Sequence, residues 1–120
     1  MIALTLPLPP TINTYHGFHG KRRYIKPAGV AFRQKVAEIV AEAGFATLEG
    51  RISLFAAIHP ADRRKQDIDN RAKSLQDALT LAGVWLDDEQ IDELHLVRKE
   101  VIKGGMVRVV ITELADKEVA

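Results

Sequence analysis

The chain has 120 residues, 47% of them apolar and 28% charged, which fits one soluble domain around a single core. It has no cysteine, so disulfides, thiolate nucleophiles and cysteine-held zinc are excluded. No apolar run approaches the roughly 18 residues of a membrane span, and the opening MIALTLPLPP has no cationic leader pattern, so a cytoplasmic protein without membrane contact is expected.

The net charge of +1 conceals a division. Residues 1–75 hold 12 Lys/Arg against 6 Asp/Glu (+6), and residues 76–120 hold 5 against 10 (−5). A basic first part suits a polyanion, and bound divalent cations would offset the acidic remainder. Uneven surface charge alone would give the same division.

Residues 2–8 read as a first strand, ended by prolines, and residues 9–13 as loop. Residues 13–27 (NTYHGFHGKRRYIKP) change to Tyr, His, Gly, Lys and Arg and read as a long mobile loop with a short strand at 22–25. Aromatics interleaved with cations suit DNA, the cations meeting phosphates and the rings stacking on unpaired bases. The alternative is a solvated loop whose Tyr15, Phe18 and Tyr24 pack back onto the fold.

Residues 28–46 carry Phe32, Val36, Ile39, Val40 and Ala43 at helical spacing, with a stop near Gly44. Residues 51–59 read as a strand with Ile52, Leu54, Ala56 and Ile58 on one face. His59 at its end reads as a surface or hydrogen-bonded residue outside any site. A second helix is expected over 70–82, with Ala72, Leu75, Ala78, Leu79 and Ala82 buried and Gly83 as its stop. After a turn over 87–93, residues 95–102 and 106–113 read as a hairpin closed by Lys103-Gly104-Gly105, with a frayed tail beyond. The expected fold is a small single-domain α+β protein in the order β-(β)-α-β-α-β-β, with a mixed or antiparallel sheet and two helices.

The chemistry concentrates between Asp67 and Asp88. Asp67 and Asp69 form a D-x-D pair before Asn70, Lys73 follows four residues after Asp69, and Trp85-Leu86 leads into a second pair, Asp87-Asp88. Any one of these aspartates is most simply a helix cap or a turn residue. One cap per helix does not explain four of them arriving with a lysine. An EF-hand starting at Asp67 would need Gly and Glu where Ala72 and Ala78 stand. What remains is an oxygen-rich Mg²⁺ site suited to phosphodiester hydrolysis, with Lys73 as fixed cation or acid. Just upstream, Arg63-Arg64-Lys65 would hold a phosphate backbone against it. The candidate DNA contacts are Asn13, Lys21, Arg22, Arg23, Lys26, Arg63, Arg64, Lys65 and Arg71.

The opening Leu6-Pro7-x-Pro9-Pro10-x-x-Asn13, the basic loop, the DRRKQDIDN run, Lys73 and GVWLDD together resemble the RusA-type Holliday junction resolvases, small endodeoxyribonucleases often carried by prophages. The resemblance covers nearly the whole chain. It implies a Mg²⁺-dependent homodimer, with Mn²⁺ a possible substitute, that nicks two opposing strands of a four-way DNA junction in recombination and repair. By motif position the catalytic and metal-binding carboxylates are Asp67, Asp69 and Asp88 and the catalytic lysine is Lys73, with Asp87 beside them. Two other readings stand: a non-catalytic DNA-binding protein whose acidic cluster is structural, and a Mg²⁺ nuclease for another branched substrate.

Overall fold

A computed structural model describes residues 1–115. Strand β1 (Ile2–Leu6) is followed by a one-turn helix α1 (Ile12–Tyr15), a hairpin of β2 (His16–His19) and β3 (Arg22–Ile25), and helix α2 (Pro27–Ala43). Strand β4 (Ile52–His59) leads through a 3₁₀ turn (Ile68–Arg71) into helix α3 (Ala72–Leu81). A second 3₁₀ turn (Asp88–Gln90) then opens β5 (Ile91–Arg98), and β6 (Met106–Glu113) follows. The fold is α+β. Among the described residues no helix is long and apolar enough to cross a membrane.

The main sheet has the order β1-β6-β4-β5, with β4 and β5 parallel and the other neighbours antiparallel. Strand β4 is central because its run ISLFAAIH is apolar at nearly every position. Its Ile52, Leu54, Ala56 and Ile58 are buried with Val107, Val109 and Ile111 of β6 and with Leu4 and Leu6 of β1. Over that face lie Phe32, Val36 and Val40 of α2, one turn apart, and Leu75, Ala78 and Leu79 of α3. Pro27 opens α2 at its first turn, and Gly44 closes it at φ 71°, a conformation that costs glycine nothing.

The expected hairpin between the last two strands does not form. β5 begins at Ile91 and ends at Arg98, and β4 lies between it and β6. The chain leaves β4, crosses through α3 and returns parallel to it, so the next strand finds its partner on the other edge of β4. Residues 99–105 pass over the end of β4, with the Lys99 amide donating to the Ile58 carbonyl at 2.8 Å and the Ile102 amide to the Pro60 carbonyl at 3.0 Å. The Gly-Gly pair imitates a hairpin turn, but the connection is a crossing.

The segment expected as a loop over 13–27 is ordered by Tyr15, which is 0% exposed and anchors α1 under α2. The strand at 22–25 is present and pairs with 16–19 in a separate two-stranded ribbon. His59 is buried and its Nδ1 lies 2.9 Å from the Glu100 carbonyl oxygen, a structural contact. Most of the tail expected to fray lies outside the described residues.

Replacing Leu54, fully buried in the central strand, is expected to be among the costlier core truncations. Leu54→Ala should lower unfolding free energy by about 2–5 kcal/mol with the denaturant slope unchanged, as read by urea unfolding.

Candidate active site

The buried stripe of α3 turns its other side outward, and Lys73, Asp77 and Thr80 share that face at spacings of four and three. Lys73 Nζ lies 3.0 Å from Asp77 Oδ1 and 3.4 Å from Asp88 Oδ2. The hydrogen bond to Asp77, outweighing the opposing effect of burial, raises the lysine above its ordinary pKa, so it remains an ammonium at neutral pH.

The other oxygen of Asp88 is held from the core side. Trp85, 1% exposed, donates its Nε1 proton to Thr80 Oγ1 at 2.7 Å and lies 3.3 Å from Asp88 Oδ1. The Thr80 hydroxyl stands between the Gln76 carbonyl, at 2.9 Å, and Asp88 Oδ1, to which it makes a short contact. Asp88 is thus oriented by one oxygen and offers the other to Lys73.

Asp87 has a different job. It caps the 3₁₀ turn, its Oδ1 accepting from the Glu89 amide at 2.9 Å, while Gln90 Oε1 accepts from the Asp87 amide at 3.0 Å. The buried Gln90 also donates to the carbonyls of Leu48 and Gly50 at 3.0 and 2.9 Å, and Arg51 holds Glu89 and Asp92 at 2.9 and 2.6 Å. The turn carrying Asp88 is therefore tied to the start of β4.

Asp67 and Asp69 sit on the 3₁₀ turn before α3, both exposed. Asp67 holds the N-cap position without a side-chain capping bond, and Asp69 lies inside the turn. Capping accounts for neither. Among the described residues neither carboxylate has a hydrogen-bond or ion-pair partner. A 3₁₀ turn has 3.0 residues per turn, which breaks the helical phasing between Asp69 and Lys73, and the lysine pairs with Asp77 instead. The segment before them is pinned twice. Arg98 donates to the Gln66 carbonyl at 2.6 Å, and the half-buried Arg71 donates to Gln66 Oε1 at 3.0 Å and to the Pro9 carbonyl.

By donor chemistry these carboxylates fit a hard divalent cation: all oxygen, with two of the three exposed and unpaired. They are not gathered around one point. Among the described residues no three His, Asp or Glu side chains converge closely enough to hold an ion.

The model of the family "Endodeoxyribonuclease RusA" matches residues 7–112 of this chain. The chain belongs to that family. It is 37% identical over 116 residues to the crossover junction endodeoxyribonuclease RusA of Escherichia coli K12, covering 96% of this chain and 97% of the relative. It is equally similar, 37% over 118 residues and 95% and 96% of the two chains, to the protein of that name from Enterobacteria phage 82. The match to the protein of that name from Shigella sonnei is also 37%, over 116 residues with 96% and 97% coverage.

The residues expected to meet DNA in this RusA-family chain separate into two groups. Lys21, Arg22 and Arg23 at the hairpin end, and Arg63 and Lys65 beside the acidic turn, are exposed and unpaired among the described residues. Arg64 is exposed but engaged with Asp62 at 3.0 Å. Lys26 donates to the Asn13 backbone carbonyl at 2.8 Å, closing the base of the hairpin, with Asn13 itself exposed. Arg71 points inward. A cleft of about 400 Å³ joins Pro10, Thr11 and Thr14 to Arg64, Lys65 and Asn70.

Reasoning from sequence missed Asp77, Thr80 and Gln90. The first two were visible as positions four and seven beyond Lys73 on the polar face of α3. Gln90 carried no such signal, because its partners are distant carbonyls.

Asp77→Asn should bring the Lys73 pKa down toward its ordinary value, since the nearer anion is removed. An NMR titration of the Lys73 side chain in the metal-free protein would show this; an unchanged midpoint would mean that Asp88 alone sets it.

Proposed function

We propose that this chain is a crossover junction endodeoxyribonuclease: a cytoplasmic, Mg²⁺-dependent homodimer that resolves four-way DNA junctions by paired symmetric nicks. The observation that carries the reading is that Asp67 and Asp69 stand exposed and unspent on the turn that opens α3, whose first turn carries Lys73 against an oriented Asp88. Family membership selects the junction among phosphodiester substrates.

Asp67, Asp69 and Asp88 would hold the ion, with Mn²⁺ able to replace Mg²⁺. When bound, such a cation activates a water and offsets charge building on the phosphate oxygens. Lys73 contributes a charge that does not depend on the cation: its ammonium, kept protonated by Asp77, can face the developing phosphate charge or give its proton to the leaving oxygen. Thr80 and Trp85 keep Asp88 in one orientation, so the oxygen that faces Lys73 is already in place before the reaction. Lys21, Arg22, Arg23, Arg63 and Lys65 contact the phosphate backbone, and that contact is salt-dependent and independent of sequence. Two nicks across a roughly two-fold junction are most simply made by a two-fold protein, and this supports the homodimer.

An end-labelled synthetic junction in Mg²⁺ tests the whole reading. Wild type should nick opposing strands in pairs and leave linear duplex intact. Asp69→Asn should bind the junction without cutting it, and wild-type cutting by that variant would remove Asp69 from the site. Lys73→Ala should slow cleavage far more than it weakens binding.

The cation is read separately by melting. Mg²⁺ at about 100 times its Kd should stabilise wild type by about 2.7 kcal/mol, and Asp88→Asn should lose most of that gain. Strong Mg²⁺ stabilisation with no DNA of any shape being cut would instead favour a binding protein with a structural metal.

A further inference from the structure

Three aromatic side chains enter the hairpin region, and the structure gives them three fates. Tyr15 is buried and fixes the hairpin's root, with His16 edge-on to its ring at 4.6 Å and Arg33 placed over it at 5.1 Å. Tyr24 lies across the hairpin backbone; a Cβ added to Gly17 would stand 2.5 Å from its ring. Phe18 projects furthest, 70% exposed against 47% for Tyr24. An exposed phenylalanine on a two-stranded ribbon contributes nothing to the core of this fold.

The ribbon's pairing places Phe18 in a particular company. His16 pairs with Ile25 and Phe18 with Arg23, so all four side chains share one face, which runs outward from the buried root. At the tip, Gly20 at φ 65° and Lys21 make the turn, and Arg22 follows. From residue 16 to residue 26 there is no acidic residue. The root is closed by the Lys26 amide donating to the Tyr15 carbonyl at 2.9 Å and by Lys26 Nζ on the Asn13 carbonyl at 2.8 Å.

That face also looks toward the catalytic end of α3. Helix α1, which carries Tyr15, packs against α3 as well as α2. His16 lies within electrostatic reach of Lys73 and Asp77 as well as of Arg23 and Arg33. Two strand residues span about 7 Å, about twice the 3.4 Å rise per base in one DNA strand. The face carrying Phe18 thus starts at His16, near Lys73 and Asp77, and runs outward past Arg23 over about two nucleotides' length.

Resting on the nuclease reading above, we propose that Phe18 stacks on a base left unpaired at the branch point of the DNA substrate. The hairpin is then the element that separates branched from linear DNA. A duplex presents no free base face, whereas a branch point unstacks bases at low cost, so only branched DNA gives the ring something to cover. Arg23 beside the ring holds the adjoining phosphate, and the acidic residues act on whatever strand this contact presents.

Phe18→Ala and Phe18→Trp test this, with 2-aminopurine placed at the branch point of a synthetic junction. Wild type should change the probe's fluorescence on binding. Phe18→Ala should abolish most of that change and reduce the preference for junction over linear duplex about tenfold, the effect of one lost base–aromatic stack. Duplex affinity and melting temperature should stay unchanged, and Phe18→Trp should restore both readouts. If wild type cuts the junction while Phe18→Ala keeps its full preference and fluorescence change, this inference fails alone. If wild type neither binds nor cuts a junction, the nuclease reading fails first. If Phe18→Ala turns a dimer into a monomer by sedimentation, the ring belongs to an interface between copies and the inference is overturned.

Discussion

A buried indole nitrogen constrains this molecule more tightly than any other single group. Trp85 is part of the buried core with Leu75 and Leu79 of α3, and its N–H is a donor that burial would leave unsatisfied at a cost of about 1–3 kcal/mol. The acceptors it finds are Thr80 on the polar face of α3 and Asp88 on the next turn. The core therefore sets the position of a carboxylate that points outward. Packing and chemistry share one hydrogen-bonded network, and the Asp88 turn is held from its far side by Gln90 and Arg51.

This arrangement divides work among residues that look alike in sequence. Asp87 and Asp88 are neighbours, yet one caps a turn and the other faces Lys73. Arg63 and Arg71 both read as DNA contacts, yet one is exposed and the other is spent on Pro9 and Gln66. Fixing the segment before Asp67 with Arg71 and Arg98 leaves Asp67 and Asp69 exposed without leaving their backbone loose. Placement separates the two kinds of charge here: those with intramolecular partners build the site, and those without are available to a ligand.

Much of this is legible in the sequence. Helix α2 and the buried stripe of α3 follow from apolar periodicity, β4 from its apolar run, and the D-x-D, Lys73 and W-L-D-D features from residue type and spacing. Pairing of the last strands was not legible, because alternation and a Gly-Gly pair specify a strand and a turn but not which edge the strand finds. Nor was the order in residues 13–27, where a single buried Tyr15 converts a polar, glycine-containing stretch into a helix turn and a ribbon. Asp77 was one helical turn from Lys73 and could have been read; the equal four-residue spacing back to Asp69 drew the attention instead, and that spacing puts two residues on one face only if residues 69–73 are α-helical.

The pairing of β1 with β6 has a consequence for how the chain reaches its structure. Ile2 lies opposite Ile111, so the sheet joins the first and last described strands, and β6 alone gives β1 its neighbour and β4 one of its two. Contacts of such long sequence separation close late and slowly, because loop entropy is lost before they form. Synthesis from the N-terminus would thus present the segment bearing Asp67 and Lys73 long before the strand that completes the sheet exists. Until β6 is made, β1 has no neighbour and one edge of β4 is open, so the sheet beneath α3 stays incomplete through most of synthesis.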